Sequence, residues 1–187
     1  WEYLPYFSPD NEFAFFTRKF ELQEKGSLFP IHVEKFMVSQ RMNGAFEKGE
    51  PMPAPFNSRN TGNEGAAAIS IDNKHLFFTL NDKGNFDIYT SDFVNGKWTE
   101  IKNLGKNVND PIGWDAQPSI SSDGKTLYFA SARDSEQVNN IDIYYSQKNA
   151  SGEWGRAKKL SSKINTSGRE KSPFIHPDNK TLYFSSD

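Results

Sequence analysis

The chain has 187 residues, enough to bury one sizeable core. Its 22 Lys and Arg against 24 Asp and Glu leave a net charge of −2. This excludes the basic footprint of a nucleic-acid binder and gives no cause to dock on an anionic membrane. Cys is absent, so disulfides, thiolate chemistry and Cys-ligated metals are excluded, while the compartment stays open.

Aromatic residues make up 14% of the chain, Phe alone contributing 16, and the 13 Gly and 10 Pro tend to fall between short apolar runs. Phe, Tyr and Trp favour pleated, packed surfaces, and Gly and Pro punctuate them, so the composition reads as many short strands and turns. No run is long and apolar enough to span a bilayer, so no direct membrane span is expected, and no signal peptide is visible. Trp1 in place of an initiator Met points to an N-terminus removed or not observed.

A repeat organises the chain. The first unit, residues 2–63, opens with EYLPYFSPDNEFAFFTR from Glu2 to Arg18. The second, 64–114, opens with EGAAAISIDNKHLFFTL from Glu64, and the third, 115–169, with DAQPSISSDGKTLYFAS from Asp115. The fourth, 170–187, is incomplete and holds EKSPFIHPDNKTLYFSS from Glu170. The turn residues Asp10, Asp72, Asp123 and Asp178 are spaced by 62, 51 and 55 residues. Each is preceded at eight positions by an acid and followed by an aromatic pair such as Phe77-Phe78. A second half-repeat follows in the first three units: KFMVS at Lys35, DIYTS at Asp87 and DIYYS at Asp142. Then come Gly-x-Phe or Gly-x-Trp, ending at Phe46, Trp98 and Trp154, and a linker carrying Asn57, Asn109 or Asn165.

Each full unit reads as four short antiparallel strands, with Asp-Asn or Asp-Gly making the first tight turn. The second strand carries neighbouring large apolar residues, such as Leu127, Tyr128 and Phe129. A strand wet on one face would alternate, so this run demands cover on both faces, as a sheet stacked between two others has. The fold class is therefore all-β, a β-propeller of four-stranded antiparallel blades, with about three and a half blades present in one domain. Closed propellers have typically 4–8 blades, so the chain is expected to be part of a larger propeller.

These residues resemble a known family. The pattern Glu-x-x-Pro-x-[Ile/Phe]-Ser-x-Asp-[Gly/Asn]-Lys-x-Leu-[Tyr/Phe]-Phe, then Asp-Ile-Tyr-x-Ser, Gly-x-Trp and the Asn-ending linker, is similar to the TolB-type, WD-repeat-like propeller. The variant with Gly-x-Trp resembles propellers of outer-membrane-associated proteins in Bacteroidetes-type bacteria, OmpA-family proteins in which the propeller sits beside a peptidoglycan-binding domain. The PorE-like component of the type IX secretion system is of this kind. The first unit departs most, with Lys35-Phe36-Met37 for Asp-Ile-Tyr and Phe46 for Trp. No OmpA-like segment is present, so peptidoglycan binding is not assigned to this chain. The resemblance implies a non-catalytic protein-interaction scaffold in a cell-envelope assembly, periplasmic and outer-membrane-associated, with an extracellular setting as the alternative. Its implied partners are other envelope proteins or a peptide or glycan ligand.

The search for chemistry starts from the acids. Glu2, Glu64, Asp115 and Glu170 should occupy equivalent places where each linker enters an innermost strand. A residue repeated in every blade caps the same turn in every blade; a ligand-binding ring is the alternative, and rim acids of a carbohydrate-active propeller enzyme a third reading. His75 and His176 stand where other units have Phe, Thr or Ser, which argues against metal ligation, and His32 lies in a segment without counterpart. Asn81–Asp87 lacks the alternating oxygens and closing Glu of a calcium loop and reads as a hairpin turn. No nucleophile elbow or phosphate loop occurs, so no catalytic residue, metal or cofactor is assigned.

Length variation marks a rim. From the strand-two Thr or Ala to the strand-three Ser is 22 residues in the first unit (Thr17 to Ser39) but 12 and 16 in the next two. The extra residues, around Lys19 to His32, read as a long loop. In an up-and-down sheet it should share one face with the loop from Arg133 to Asn140 and with the linkers. Lys19, His32 and Arg133 join the four acids as candidates to hold a ligand or partner.

Overall fold

The structure is a computed structural model that describes residues 1–23, 26, 28–58, 62–82, 84–133 and 140–187. All the regular elements among them are strands, and every strand pair is antiparallel. The first blade runs β1 (Glu2–Phe7), β2 (Phe13–Leu22), β3 (Ile31–Met42), then β4 (Ala45–Phe46) and β5 (Glu50–Pro51), both paired with β3. The second runs β6 (Glu64–Ile69), β7 (His75–Asp82), β8 (Asn85–Val94), then β9 (Lys97–Trp98) and β10 (Lys102–Asn103), both on β8. The third has β11 (Asp115–Ile120), β12 (Thr126–Ser131), β13 (Asp142–Gln147) and β14 (Lys158–Lys159). The fourth holds β15 (Lys171–Ile175) and β16 (Leu182–Ser185).

Two departures from the sequence reading have physical causes. The expected single fourth strand is split into two short pieces. The Ser of strand three reaches into the gap, its hydroxyl donating to the carbonyl of Glu47, Thr99 (2.7 Å) or Gly155 (2.5 Å). The expected long loop of the first unit is largely strand. β2 and β3 run on as a hairpin, pairing Lys19 with Glu34, Phe20 with Val33, Glu21 with His32 and Leu22 with Ile31. The apolar alternation of Phe20, Leu22, Ile31 and Val33 suits a pleated ribbon with one covered side, and Val33 is fully buried. Glu24, Lys25 and Ser27, which the sequence places in the segment read as a loop, lie outside the described residues.

The sheets hide each other's faces. Between the first two lie Phe15, Phe36, Met52, Phe56, Ile69 and Phe78, with the Phe36 and Phe78 rings stacked at 5.9 Å. Between the second and third lie Phe77, Ile88, Val108, Ile120, Leu127 and Phe129. Each fully buried Phe contributes roughly 2–3 kcal/mol relative to exposure, so face-to-face burial is what holds the stack together.

Two repeated devices fix the stacking. In every innermost strand one residue takes a left-handed conformation: Leu4, Ala66, Gln117 and Ser172, with φ of 52°, 50°, 56° and 52°. The register slips there in all four blades. A non-Gly residue pays about 1–2 kcal/mol for this conformation. The bulge turns its N–H out of its own sheet toward the preceding blade. Ala66 donates to Thr17 Oγ1 (3.1 Å), Gln117 to Thr79 Oγ1 (3.0 Å) and Ser172 to Gln117 Oε1 (2.8 Å). The third blade has Ala130 where the first two have Thr, and Gln117 supplies the missing acceptor.

The second device is the linker Asn. Asn57, Asn109 and Asn165 each accept from and donate to the backbone of one strand-three residue, Phe36, Ile88 or Ile143, at 2.7–3.0 Å. The side-chain amide thus stands in for one residue of an extra strand. Asn109→Ala leaves the Ile88 N–H buried and unpaired and also removes the Asn109 bonds to the Ile88 carbonyl, which keeps the Leu104 N–H (3.1 Å), and to Asn103. A loss of about 2–3 kcal/mol is expected, and Thr79→Val, which orphans one N–H and removes nothing else, should cost about half that. Urea denaturation of the two variants checks both the direction and the order.

Candidate functional site

On the turn face of each blade, Asp10, Asp72, Asp123 and Asp178 accept from turn N–H groups, and the first three also from the Ser two residues earlier. The Ser70 hydroxyl holds the Asp72 carboxyl below the usual carboxylate range, and Ser121 does the same for Asp123. The N–H groups of Lys180 and Thr181 press Asp178 lower still. His176, standing where the other blades have Ser, accepts the Asp178 N–H at 3.2 Å.

The opposite face carries the linkers and the β2–β3 and β7–β8 hairpin ends. There the four repeated acids separate. Glu64, Asp115 and Glu170 are buried, and each accepts a linker N–H: Asn57 to Glu64 (2.7 Å), Asp110 to Asp115 (2.6 Å) and Thr166 to Glu170 (3.0 Å). They cap the entry of the linker into the innermost strand. Burial works to raise Glu170, but the Thr166 N–H and hydroxyl and the Ser186 hydroxyl outweigh it and hold the carboxyl down. For Asp115 burial wins and the carboxyl is pushed up, with Arg133 pulling against it. Glu2 differs: it is exposed and pairs with Arg18.

The other candidates divide in the same way. Arg133 is tied into the fold. Its guanidinium donates to Asp115, to the Val108 carbonyl (2.6 Å) and to Ser131 (2.6 Å), and lies over the rings of Phe129 (5.2 Å) and Tyr144 (4.8 Å). It is a clamp between the third blade and its incoming linker rather than a side chain held out to a partner. Residues 134–139 of the loop that follows lie outside the described residues. His32 pairs across the extended hairpin with Glu21 at 3.2 Å, and Lys19 stands opposite Glu34. Leu28 and Phe29 near the hairpin end are 90% and 78% exposed.

Between the first three innermost strands this face opens into a cleft of about 240 Å³. Its walls include Tyr3, Glu34, Asn63, Phe86, Trp114 and Gln117. Phe86 and Trp114 lie 6.4 Å apart, and Tyr3 donates its hydroxyl to Glu34. Burial and that carboxylate push the Tyr3 hydroxyl well above its ordinary value. Of the acids named from sequence, Glu64 lines this cleft. The aromatic and amide walls were missed because Phe86, Asn63 and Trp114 sit outside the repeated motif; that irregularity was the available signal. Among the described residues no group of three or more His, Asp and Glu side chains converges as a metal site would require.

Removing the Arg133 side chain strands a buried Asp115, so Arg133→Ala is expected to cost about 3 kcal/mol, whereas Glu2→Gln should stay within about 0.5 kcal/mol; thermal and urea unfolding distinguish them. The carboxylates of Asp72, Asp123 and Asp178 have folded pKa values below their unfolded ones. Their contribution is therefore present above the ordinary carboxylate range and is lost as pH falls below about 4. Asp123→Asn, which keeps an acceptor but does not titrate, should narrow its stability gap from wild type on acidification, as pH-dependent unfolding will show.

No protein-family model matches the chain, and no curated protein sequence matches it. Among solved structures, TolB from Acinetobacter baumannii aligns over 98% of this chain and 37% of its own, with a TM-score of 0.59 and 18% identity. A protein assigned as TolB from Agrobacterium tumefaciens aligns over 100% of this chain and 70% of its own, with a TM-score of 0.57 and 16% identity. The chain thus spans 37% of the first protein's length. At these identities the likeness is one of fold: the chain has the architecture of the TolB-type β-propeller.

Proposed function

We propose that the chain is a non-catalytic interaction scaffold in a bacterial cell envelope and holds its partner at the linker face. The carrying observation is the fate of the repeated acids. Glu64, Asp115 and Glu170 are buried linker caps, and Asp115 is further held by Arg133, so these carboxylates serve the stack. What the face offers instead is an aromatic pair, Phe86 and Trp114, beside Asn63, Glu34 and Gln117. Aromatic anchors beside amides suit recognition of another protein. The TolB-type architecture and the resemblance in sequence support a periplasmic, outer-membrane-associated setting, with a link to secretion or to peptidoglycan through neighbouring components. No helix of the described residues is long and apolar enough to cross a membrane.

The same aromatic and amide walls favour a second reading, a sensor that binds a glycan or peptide in the cleft. A photo-crosslinking residue at Trp114 should yield a defined adduct with an envelope protein in cells. Trp114→Ala with Phe86→Ala should abolish the partner's co-purification while unfolding at nearly the wild-type temperature. Adducts with glycan alone would favour the sensor. Hydrolysis of peptidoglycan fragments that vanishes in a folded Glu64→Gln variant would overturn the scaffold.

A further inference from the structure

The two complete blade interfaces ought to be equivalent, and at the turn face they are not. Between the second and third blades, Trp154 packs edge-on against Phe77 at 6.0 Å, and the Lys148 ammonium lies over its indole at 4.9 Å. The linker of the second blade is stitched to the third. Asn107 donates its side-chain amide to the Trp154 carbonyl (2.8 Å), and its own carbonyl accepts the Ala157 N–H (2.7 Å). The cavity left there, beside Asp72, His75, Phe77, Ile120 and Lys148, is about 240 Å³.

One interface earlier, the residue matching Asn107 is Pro55, in Met52-Pro53-Ala54-Pro55-Phe56. Proline has no side-chain amide to donate. Among the described residues no hydrogen bond joins Pro55 to the second blade. Phe36 and Phe56 stand where the next unit has Ile88 and Val108, and the larger Phe56 ring, itself packed edge-on to Phe36, takes Trp98. Trp98 packs edge-on to Phe56 at 5.9 Å and against Phe93 at 5.0 Å, and no ring pair joins it to Phe15. The interface is parted only at this end, where Asn73 still donates its side-chain amide to Asp10 across the rim (2.8 Å), leaving a groove of about 710 Å³ over Phe13, Phe15, Val38, Met52, Ile69 and Trp98.

The positions that vary also make this groove more apolar. Phe13, Val38 and Phe93 replace His75, Thr90 and Lys148 of the next unit. The rim carries Asp10 and Asp72 against Lys74 and Lys97, two charges of each sign. A balanced rim complements a neutral occupant and disfavours a strongly charged one. The equivalent space one blade on shows what kind of occupant fits, since a stretch of polypeptide stitches that interface with main-chain and amide hydrogen bonds.

We propose that this groove is a second binding site, on the face opposite the linker cleft, for a neutral extended peptide segment bearing a large apolar side chain. The apolar side chain fills the space between Phe15 and Trp98, and the segment's backbone supplies hydrogen bonds to the second blade of the kind that Asn107 supplies in the next interface. A volume of this size lies within the range of ligand pockets.

The test uses the full chain with labelled methyl groups on Val38, Met52 and Ile69, titrated with N-acetyl-Asn-Phe-Val amide and followed by NMR. Saturable shifts at these methyls are expected. They should weaken by about tenfold or more, the scale of losing one buried anchor, in a variant carrying the second linker's residues, Pro53→Gly, Ala54→Lys and Pro55→Asn. A second variant, Phe13→His with Phe93→Lys, alters the groove without touching the linker and should weaken binding likewise. Trp114→Ala, in the other cleft, should leave the shifts unchanged. The proposal is overturned if the wild-type chain shows no saturable shift, or if both groove variants bind as well as wild type. It is equally overturned if decanoate saturates the site while the peptide does not, which would make it a site for a small amphiphile.

Discussion

Each sheet of this protein has two apolar faces and can satisfy neither alone. Phe36 and Phe78 come from different blades, and the second blade offers Phe78 to one neighbour and Phe77 to the other. The stack therefore depends on the angle at which one sheet meets the next. The left-handed residue in each innermost strand sets that angle locally, by turning an N–H that would have closed its own ladder toward the adjacent blade. Its conformational cost recurs at Leu4, Ala66, Gln117 and Ser172, and the bond it allows recurs with it at the three positions that follow another blade. Gly65 belongs to the same arrangement: a Cβ there would lie 2.0 Å from Thr17 Oγ1, the atom that accepts the Ala66 N–H.

Polar side chains carry out the rest of the assembly. The linker acids Glu64, Asp115 and Glu170 and the linker residues Asn109 and Asn165 are buried, Asn57 is half-buried, and all are paired with backbone and repeated, so the connections between blades are as well determined as the strands. Where the repeat is kept, as between Asn107 and Trp154, the interface is closed. Where it is broken, at Pro55 and at Phe36 and Phe56, it opens. The two proposed binding surfaces follow the breaks: the linker-face cleft takes Phe86 and Trp114 from outside the motif, and the turn-face groove exists through departures from it.

The sequence carried the blade order, the first two strands of each blade and the turn Asp because these are periodic and local. An Asp two residues after a Ser caps a turn by its own neighbours, and paired aromatics demand two covered faces. Capping by Glu64, Asp115 and Glu170 was legible for the same reason, while Glu2, expected to cap likewise, pairs with Arg18 instead. The split fourth strand was not, since it depends on where a strand-three Ser hydroxyl finds a carbonyl. Nor was the hairpin from Lys19 to His32, where extra length looked like loop although Phe20, Leu22, Ile31 and Val33 alternate as a ribbon. Arg133 was taken for an outward side chain because its partners, Asp115, Val108, Phe129 and Tyr144, are distant or unmarked in the chain.

By itself, then, the sequence determined that repeated four-stranded sheets must stack, because its apolar pattern leaves no other way to cover both faces of each. Only the tertiary structure decided which polar residues are locked into that stack and which remain at its surface. It also decided where two blades fail to close, because such outcomes turn on the volumes and hydrogen-bonding reach of side chains brought together from separate units.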